Sequence, residues 1–229
     1  MNANENKFKT RLVIFDFDGT LTKPHKIDNS WARIWNRIGL MDEDERLYKL
    51  YRSKKLTYRQ WVDQVIKVFR QNKVDKSMFA SLAKEIKLLN NCKKVFRNFY
   101  EHGIKICILS GGVKNIIDEK VKKFNKYITD IEAGSLTVDD SGIVNGFVIT
   151  GTNIENKSDF ILKQMEKYNL KKEEIIFVGN SFNDEDACKS GVTTICINPF
   201  ETNYQDKTIW THYIKQTNDL LSILPFINF

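Results

Sequence analysis

Four short apolar runs, rich in β-branched residues, set the strongest limit on the fold: RLVIF at 11–15, IKICIL at 104–109, IIFV at 175–178 and TTICI at 193–197. None shows the in–out alternation of a half-exposed strand, so each calls for cover on both faces. Amphipathic helical patterns lie between them, clearest at 113–124, 157–168 and 184–189. Strands alternating with helices connect through right-handed crossovers. The expected fold class is α/β, a doubly wound parallel sheet with helices on both faces.

Two stretches break the alternation. From Ile27 to about Asn90 the sequence carries helical patterns rich in Trp, Tyr, Leu and Lys, with no strand. Trp31, Ile34, Trp35 and Ile38 share one helix face, and Trp61, Val65, Val68 and Phe69 share another. These aromatics read as the core of a small helical bundle. The second break, 135–150, runs SLTV, then DDSG, then IVNGFVI, and predicts a small β-hairpin. The expected division is an α/β core from 1–22 and 91–229, with a helical cap at 23–90 inserted after the first strand. No internal repeat is visible.

At 229 residues the chain is long enough for one core and an accessory unit. With 41% hydrophobic and 28% charged residues it is an ordinary globular composition, and no run of eighteen apolar residues suggests a membrane span. The polar segment 1–10 has no apolar core of a signal peptide. Cys92, Cys107, Cys188 and Cys196 lack metal-ligand spacing and read as free thiols, so a cytoplasmic location is expected. The net charge of +7 comes from lysines dispersed along the sequence, which reads as a solvated surface and makes a nucleic-acid partner unlikely.

The chemistry concentrates where the first run ends, at Asp16-Phe17-Asp18-Gly19-Thr20. A carboxylate closing a buried strand is unwelcome unless it serves a ligand, and the carboxyl edge of an open α/β sheet is where ligands sit. Asp16 and Asp18, two residues apart on an extended end, can reach one reaction centre. Taken alone, Asp18-Gly19-Thr20 would also suit a turn that caps a helix.

This segment resembles the signature of the haloacid dehalogenase (HAD) superfamily, a strand ending in Asp-x-Asp-Gly-Thr. Other signature positions follow in the family's order: Ser110-Gly111-Gly112 after the second strand, Lys157 opening a helix after the hairpin, and Gly179-Asn180-Ser181-Phe182-Asn183-Asp184 closing another strand. The helical insertion, the Ser-Gly-Gly and the hairpin resemble its phosphoserine-phosphatase-like branch. The resemblance implies a Rossmann-like core and a phosphomonoester hydrolase that uses Mg2+. It implies Asp16 as nucleophile forming an aspartyl-phosphate, and Asp18 as general acid and base. Ser110, with Thr20, Gly111, Gly112 and Asn183, would contact the phosphate, and Lys157 would orient Asp16, with Lys114 as a weaker alternative. Mg2+ would be held by Asp16, Asp18 through its main-chain carbonyl, Asn180 and Asp184. The branch usually has Asp where this chain has Asn180, which implies an altered metal affinity.

The implied partner is a small-molecule phosphomonoester. Phosphoserine itself fits poorly, because the stretch after the first motif is basic, Lys23-Pro24-His25-Lys26. That entrance, with Ser30 and Trp31 behind it, would suit additional negative charge or a stackable group. A phosphotransferase or mutase of the same fold, and a binding protein with weak turnover, remain the alternatives.

Overall fold

The structure, a computed structural model, describes residues 8–25, 27, 29–150, 156–200 and 209–229. Seven strands form one sheet: β1 (Leu12–Phe15), β2 (Lys105–Val113), β3 (Asp130–Val138), β4 (Val144–Val148), β5 (Ile175–Gly179), β6 (Thr193–Ile197) and β7 (His212–Ile214). Their order is β4-β3-β2-β1-β5-β6-β7. Every pairing is parallel except that of β3 with β4. β1 pairs with β2 on one side and β5 on the other, so the chain builds outward first in one direction and then in the other. The reversal at β1 opens a crevice beyond the carboxyl ends of β1, β2 and β5.

The absence of alternation in β1 has a direct cause. Val13 and Phe15 face one apolar cluster, Leu12 and Ile14 face the other, and all four are fully buried. On the Leu12 side α7 (Lys157–Tyr168) contributes Phe160 and Ile161. On the Phe15 side α5 (Cys92–Glu101) contributes Phe96 and Phe99, and α6 (Lys114–Val121) contributes Ile116 and Ile117.

Between β1 and α5 lie α1 (Ser30–Ile38), α2 (Met41–Arg52), α3 (Tyr58–Gln71) and α4 (Lys76–Glu85). Local chemistry sets their ends. Asn29 caps α1 by accepting from the Ala32 amide, and Gly39 closes it in the left-handed conformation at φ 74°. Thr57 and Gln60 form a capping box on α3, and Asp75 caps α4. Trp31, Ile34, Trp35, Trp61, Val65 and Phe69 are buried, with Ile38 and Val68 packed at their edge. Trp31 meets Trp61 at 5.3 Å between ring centroids, and Trp35 meets Phe69 at 4.9 Å. These aromatics and the Phe15 face of the sheet form one continuous cluster.

Backbone hydrogen bonds tie the helical segment to the rest at two places. Where the chain leaves and returns, the Lys23 amide donates to Lys87 and the Leu89 amide to Leu21, at 2.8 and 2.9 Å. At the other, the tip of the β3–β4 hairpin meets the α3–α4 connection. There Lys76 donates to the Gly142 carbonyl at 3.0 Å and Val144 to the Val74 carbonyl at 2.8 Å.

Three features depart from the sequence expectation. β2 continues through Ser110-Gly111-Gly112 to Val113, so α6 starts at Lys114 and ends in a 3-10 turn over Lys122–Phe124. β3 starts at Asp130, ahead of the predicted hairpin; its first half pairs with β2 and its second with β4. β7 is half-buried and only three residues long, too short and too polar to stand out as a pattern.

Candidate active site

Asp16 follows β1 directly. Its amide donates to the Val178 carbonyl of β5 at 2.9 Å, and its side chain is buried. The chain then turns sharply. Gly19 sits at φ 78°, and the amides of Thr20, Leu21 and Thr22 all point back to the Phe17 carbonyl, at 3.3, 3.0 and 3.2 Å. The end of β5 presses against this turn. A Cβ at Gly19 would come within 2.2 Å of the Asn180 amide nitrogen, and the Thr20 hydroxyl donates to Asn180 Oδ1 at 3.3 Å. Asn180 is thereby held against the first motif, 160 residues away in sequence.

Lys157 opens α7 and is buried at 2% exposure. Its ammonium donates to Asp16 Oδ1 at 2.9 Å and also to Asp184 Oδ1. Burial alone would drive its proton off, but the two carboxylates outweigh that penalty and raise its pKa. For Asp16 burial is the larger effect. It pushes the carboxyl up to about 7 although Lys157 pulls the other way. Lys114, the alternative cation, instead pairs with Asp118 at 2.8 Å on the surface of α6.

Asp184 is fully buried. Besides Lys157, it accepts from the Asn180 amide at 2.9 Å, the Ser181 amide at 3.0 Å and the Ser181 hydroxyl at 3.2 Å, all on Oδ2. Both its oxygens are therefore engaged by protein donors, and it fixes the 180–184 loop together with Lys157. Asn183 is half-buried on the 3-10 turn Phe182–Asp184, and its side chain makes no hydrogen bond to the described residues.

Asp18 has a different environment. Its Oδ2 accepts from the Ser30 amide at 3.1 Å and the Ser30 hydroxyl at 2.9 Å. The Ser30 hydroxyl in turn accepts from the Val113 amide at 2.8 Å. Ser30 thus bridges the first motif, the start of α1 and the end of β2. Gly112 passes between them: a Cβ there would lie 2.5 Å from Ser30 Oγ and 2.6 Å from Asp18 Oδ2. The Gly112 amide donates to Ser110 Oγ at 3.1 Å, and the Gly111 carbonyl accepts from Trp31 Nε1 at 3.0 Å.

Sequence reasoning placed Ser30 and Trp31 near the entrance but not in these roles. The signal for Ser30 was its place at the first turn of a helix capped by Asn29, twelve residues after Asp18. Trp31 is buried against Trp61, Phe69 and Phe147, so it buttresses the Gly111 carbonyl and presents no face for stacking a ligand. His25 is exposed, its Nδ1 accepting from the Ile27 amide at 3.1 Å. The side chain of Lys23 lines a separate groove described below. Lys26, the last residue of that predicted entrance, lies outside the described residues.

No cluster of three or more His, Cys, Asp and Glu side chains suited to a metal occurs among the described residues. A cation site at this crevice has to combine a carboxylate with an amide and a main-chain oxygen. Asp16, the Asp18 carbonyl and Asn180 supply such a set, all oxygen, which suits a hard divalent cation.

Comparison with known proteins places this arrangement. The family model for haloacid dehalogenase-like hydrolases matches residues 10–191. A phosphoserine phosphatase of Archaeoglobus fulgidus is 23% identical over 76% of this chain and 48% of its own length, so the chain spans about half of that relative. Another, from Methanocaldococcus jannaschii, is 24% identical over 96% of this chain and 98% of its own. A solved phosphoserine phosphatase, described as a phospho-aspartyl intermediate analogue, superposes with a TM-score of 0.77 at 19% identity, over 96% of this chain and 100% of that one. The chain belongs to the haloacid dehalogenase-like hydrolase family, on its phosphoserine-phosphatase-like side.

Proposed function

We propose that this protein is a Mg2+-dependent phosphomonoester hydrolase that acts on a small phosphorylated metabolite through an aspartyl-phosphate on Asp16. The observation that carries this reading is the contrast between two carboxylates at one strand end. Asp16 is buried and anchored through Oδ1 on Lys157, while Asp18 is pinned through Oδ2 by both donors of Ser30. Carboxylates held in such different surroundings suit different tasks.

Asp16, with Oδ1 held, attacks phosphorus with its other oxygen. Asp18 delivers a proton to the leaving alkoxide and later takes one from the water that hydrolyses the acyl phosphate. Ser110 receives the Gly112 amide on its oxygen, so its own proton is available to a phosphoryl oxygen. Thr20, Gly111, Gly112 and Asn183 complete the phosphate surroundings. Lys157, still paired with Asp184, neutralises charge as the phosphoryl group transfers. Asp16, the Asp18 carbonyl and Asn180 would hold Mg2+, with Asp184 steadying their loop, and the bound cation would supply a counter-charge for the Asp16 carboxylate and the phosphate.

Residues 23–90 act as the cap over this site. The substrate is a small phosphomonoester, and the basic stretch after the first motif argues against phosphoserine. Cys92, Cys107, Cys188 and Cys196 are free, which accords with a reducing, cytoplasmic setting.

The test is phosphate release from a broad phosphomonoester panel, with Mg2+ and with a chelator, alongside Asp16→Asn. Metal-dependent turnover that the folded variant lacks is expected. Turnover retained by purified Asp16→Asn would overturn the nucleophile assignment.

A further inference from the structure

The charge of +7 is not spread evenly over the folded surface. An open groove of about 780 Å3 gathers Lys23 and Lys87 at the crossing into α1–α4, Lys93 and Lys94 on the first turn of α5, and Lys120 and Lys123 near the end of α6. No acidic side chain among the described residues lines it, and its floor is apolar, formed in part by Leu89 and Phe124. Arg97 also lines it but is paired with Glu101 at 2.7 Å. None of the six lysines forms an ion pair with the described residues, whereas neighbouring Lys114 and Lys122 do. A merely solvated lysine face is usually interspersed with acids, so this grouping is itself informative.

Two further observations point the same way. Arg33 on α1 is 8% exposed, forms no ion pair with the described residues, and leaves its Nε without a hydrogen-bond partner among them. Arg33 is not one of the residues that line the groove, but its charge acts on Lys120, which does line it. Burial, Lys123 and this Arg33 together depress the pKa of Lys120, which marks a local excess of positive charge. The first turn of α5 also opens on the groove. Asn91 gives it no side-chain cap, because that side chain is turned to Asp219 at 2.7 Å.

The arrangement of the charges bears on the class of ligand. The lysines come from separate elements and converge on one open groove instead of running in a line, which suits a compact anion better than an extended track along a polymer. We propose that this groove binds a compact polyanion, a small molecule carrying several phosphate-type groups. It is separate from the hydrolytic site, since none of Asp16, Asp18, Ser110 and Lys157 lines it.

The experiment is calorimetric titration of the whole protein with inorganic tripolyphosphate in metal-free buffer. It compares wild type, Asp16→Asn, the double variant Lys93→Gln/Lys120→Gln, and the charge-keeping Lys93→Arg/Lys120→Arg. Saturable binding is expected to be equal in wild type, Asp16→Asn and the Arg variant, and about tenfold or more weaker in the Gln variant. The Gln variant should keep its melting temperature and its turnover. Absence of saturable binding, or equal affinity in the Gln variant, would overturn the proposal. So would an RNA oligonucleotide that binds more tightly than tripolyphosphate and loses affinity in the Gln variant, because the groove would then serve a polymer. Binding in Asp16→Asn keeps this test independent of the hydrolytic reading.

Discussion

Arg52, the last residue of α2, lays its guanidinium 3.6 Å from the centre of the Phe182 ring in the loop after β5. The contact joins the helical segment directly to the loop that carries Asn180 and Asp184. Arg52 is exposed, so the pair contributes only about 0.5–1 kcal/mol to stability. Its effect should be local. Arg52→Ala is expected to leave the melting temperature nearly unchanged while speeding amide exchange in α2 and in residues 180–184. Unchanged exchange in both places would show that the contact does not hold the loop.

Burial sets an unusual pH dependence through Asp16. In the metal-free protein its carboxyl is raised from 3.8 to about 7. Between those values the folded protein keeps a proton that the unfolded chain has released. Stability therefore falls as pH rises through that window, by up to roughly 1.4 kcal/mol per unit. Denaturant unfolding of the metal-free wild type and of Asp16→Asn at pH 5 and pH 7 checks this. The variant's stability should change less with pH, and parallel curves for the two proteins would refute the prediction.

Asn180→Asp adds a negative charge where the Thr20 hydroxyl already donates to Oδ1. Buried near Asp16 and Asp184, that charge should lower metal-free stability by roughly 1–3 kcal/mol. It should also tighten Mg2+ binding about tenfold. Metal titration followed by thermal unfolding reads both effects in one experiment. If neither moves, Asn180 is not a ligand.

Two glycine substitutions separate packing at the site from backbone strain. A Cβ on Gly112 would press on Ser30 and Asp18, whereas one on Gly103, at φ 72°, meets nothing within 4 Å. Gly103→Ala should cost about 1 kcal/mol and leave turnover alone. Gly112→Ala should reduce kcat by about a hundredfold or more, because it displaces the group assigned to proton transfer. Equal kinetic effects of the two would argue against the role given to the Ser30–Asp18 pair.

Much of this was legible in the sequence because the central strands are buried on both faces. Continuous apolar runs such as RLVIF leave no competing reading, and an acid at the end of one, Asp16, marks the crevice. Lys157 was legible only through family order, since nothing in its neighbours distinguishes it from the other lysines. Its burial between Asp16 and Asp184 emerges only in three dimensions. Ser30 was obscure for the same reason, for its partners Asp18 and Val113 lie in other elements. The lysines read as dispersed because linear spacing hides the convergence of positions 23, 87, 93, 94, 120 and 123. The first half of β3 was missed because one strand serves two partners of opposite direction, and each half follows a different pattern.

The hairpin tip bears on how this fold can be re-engineered. Gly142 and Val144 exchange backbone hydrogen bonds with Lys76 and Val74. The α3–α4 connection and the β3–β4 turn are therefore matched halves of one joint, although some seventy residues separate them. Residues 23–90 are not a portable module that can be exchanged between relatives at their two chain crossings alone. A chimera built that way inherits a mismatched joint, whereas one that carries residues 135–150 along with the helices keeps both halves of it.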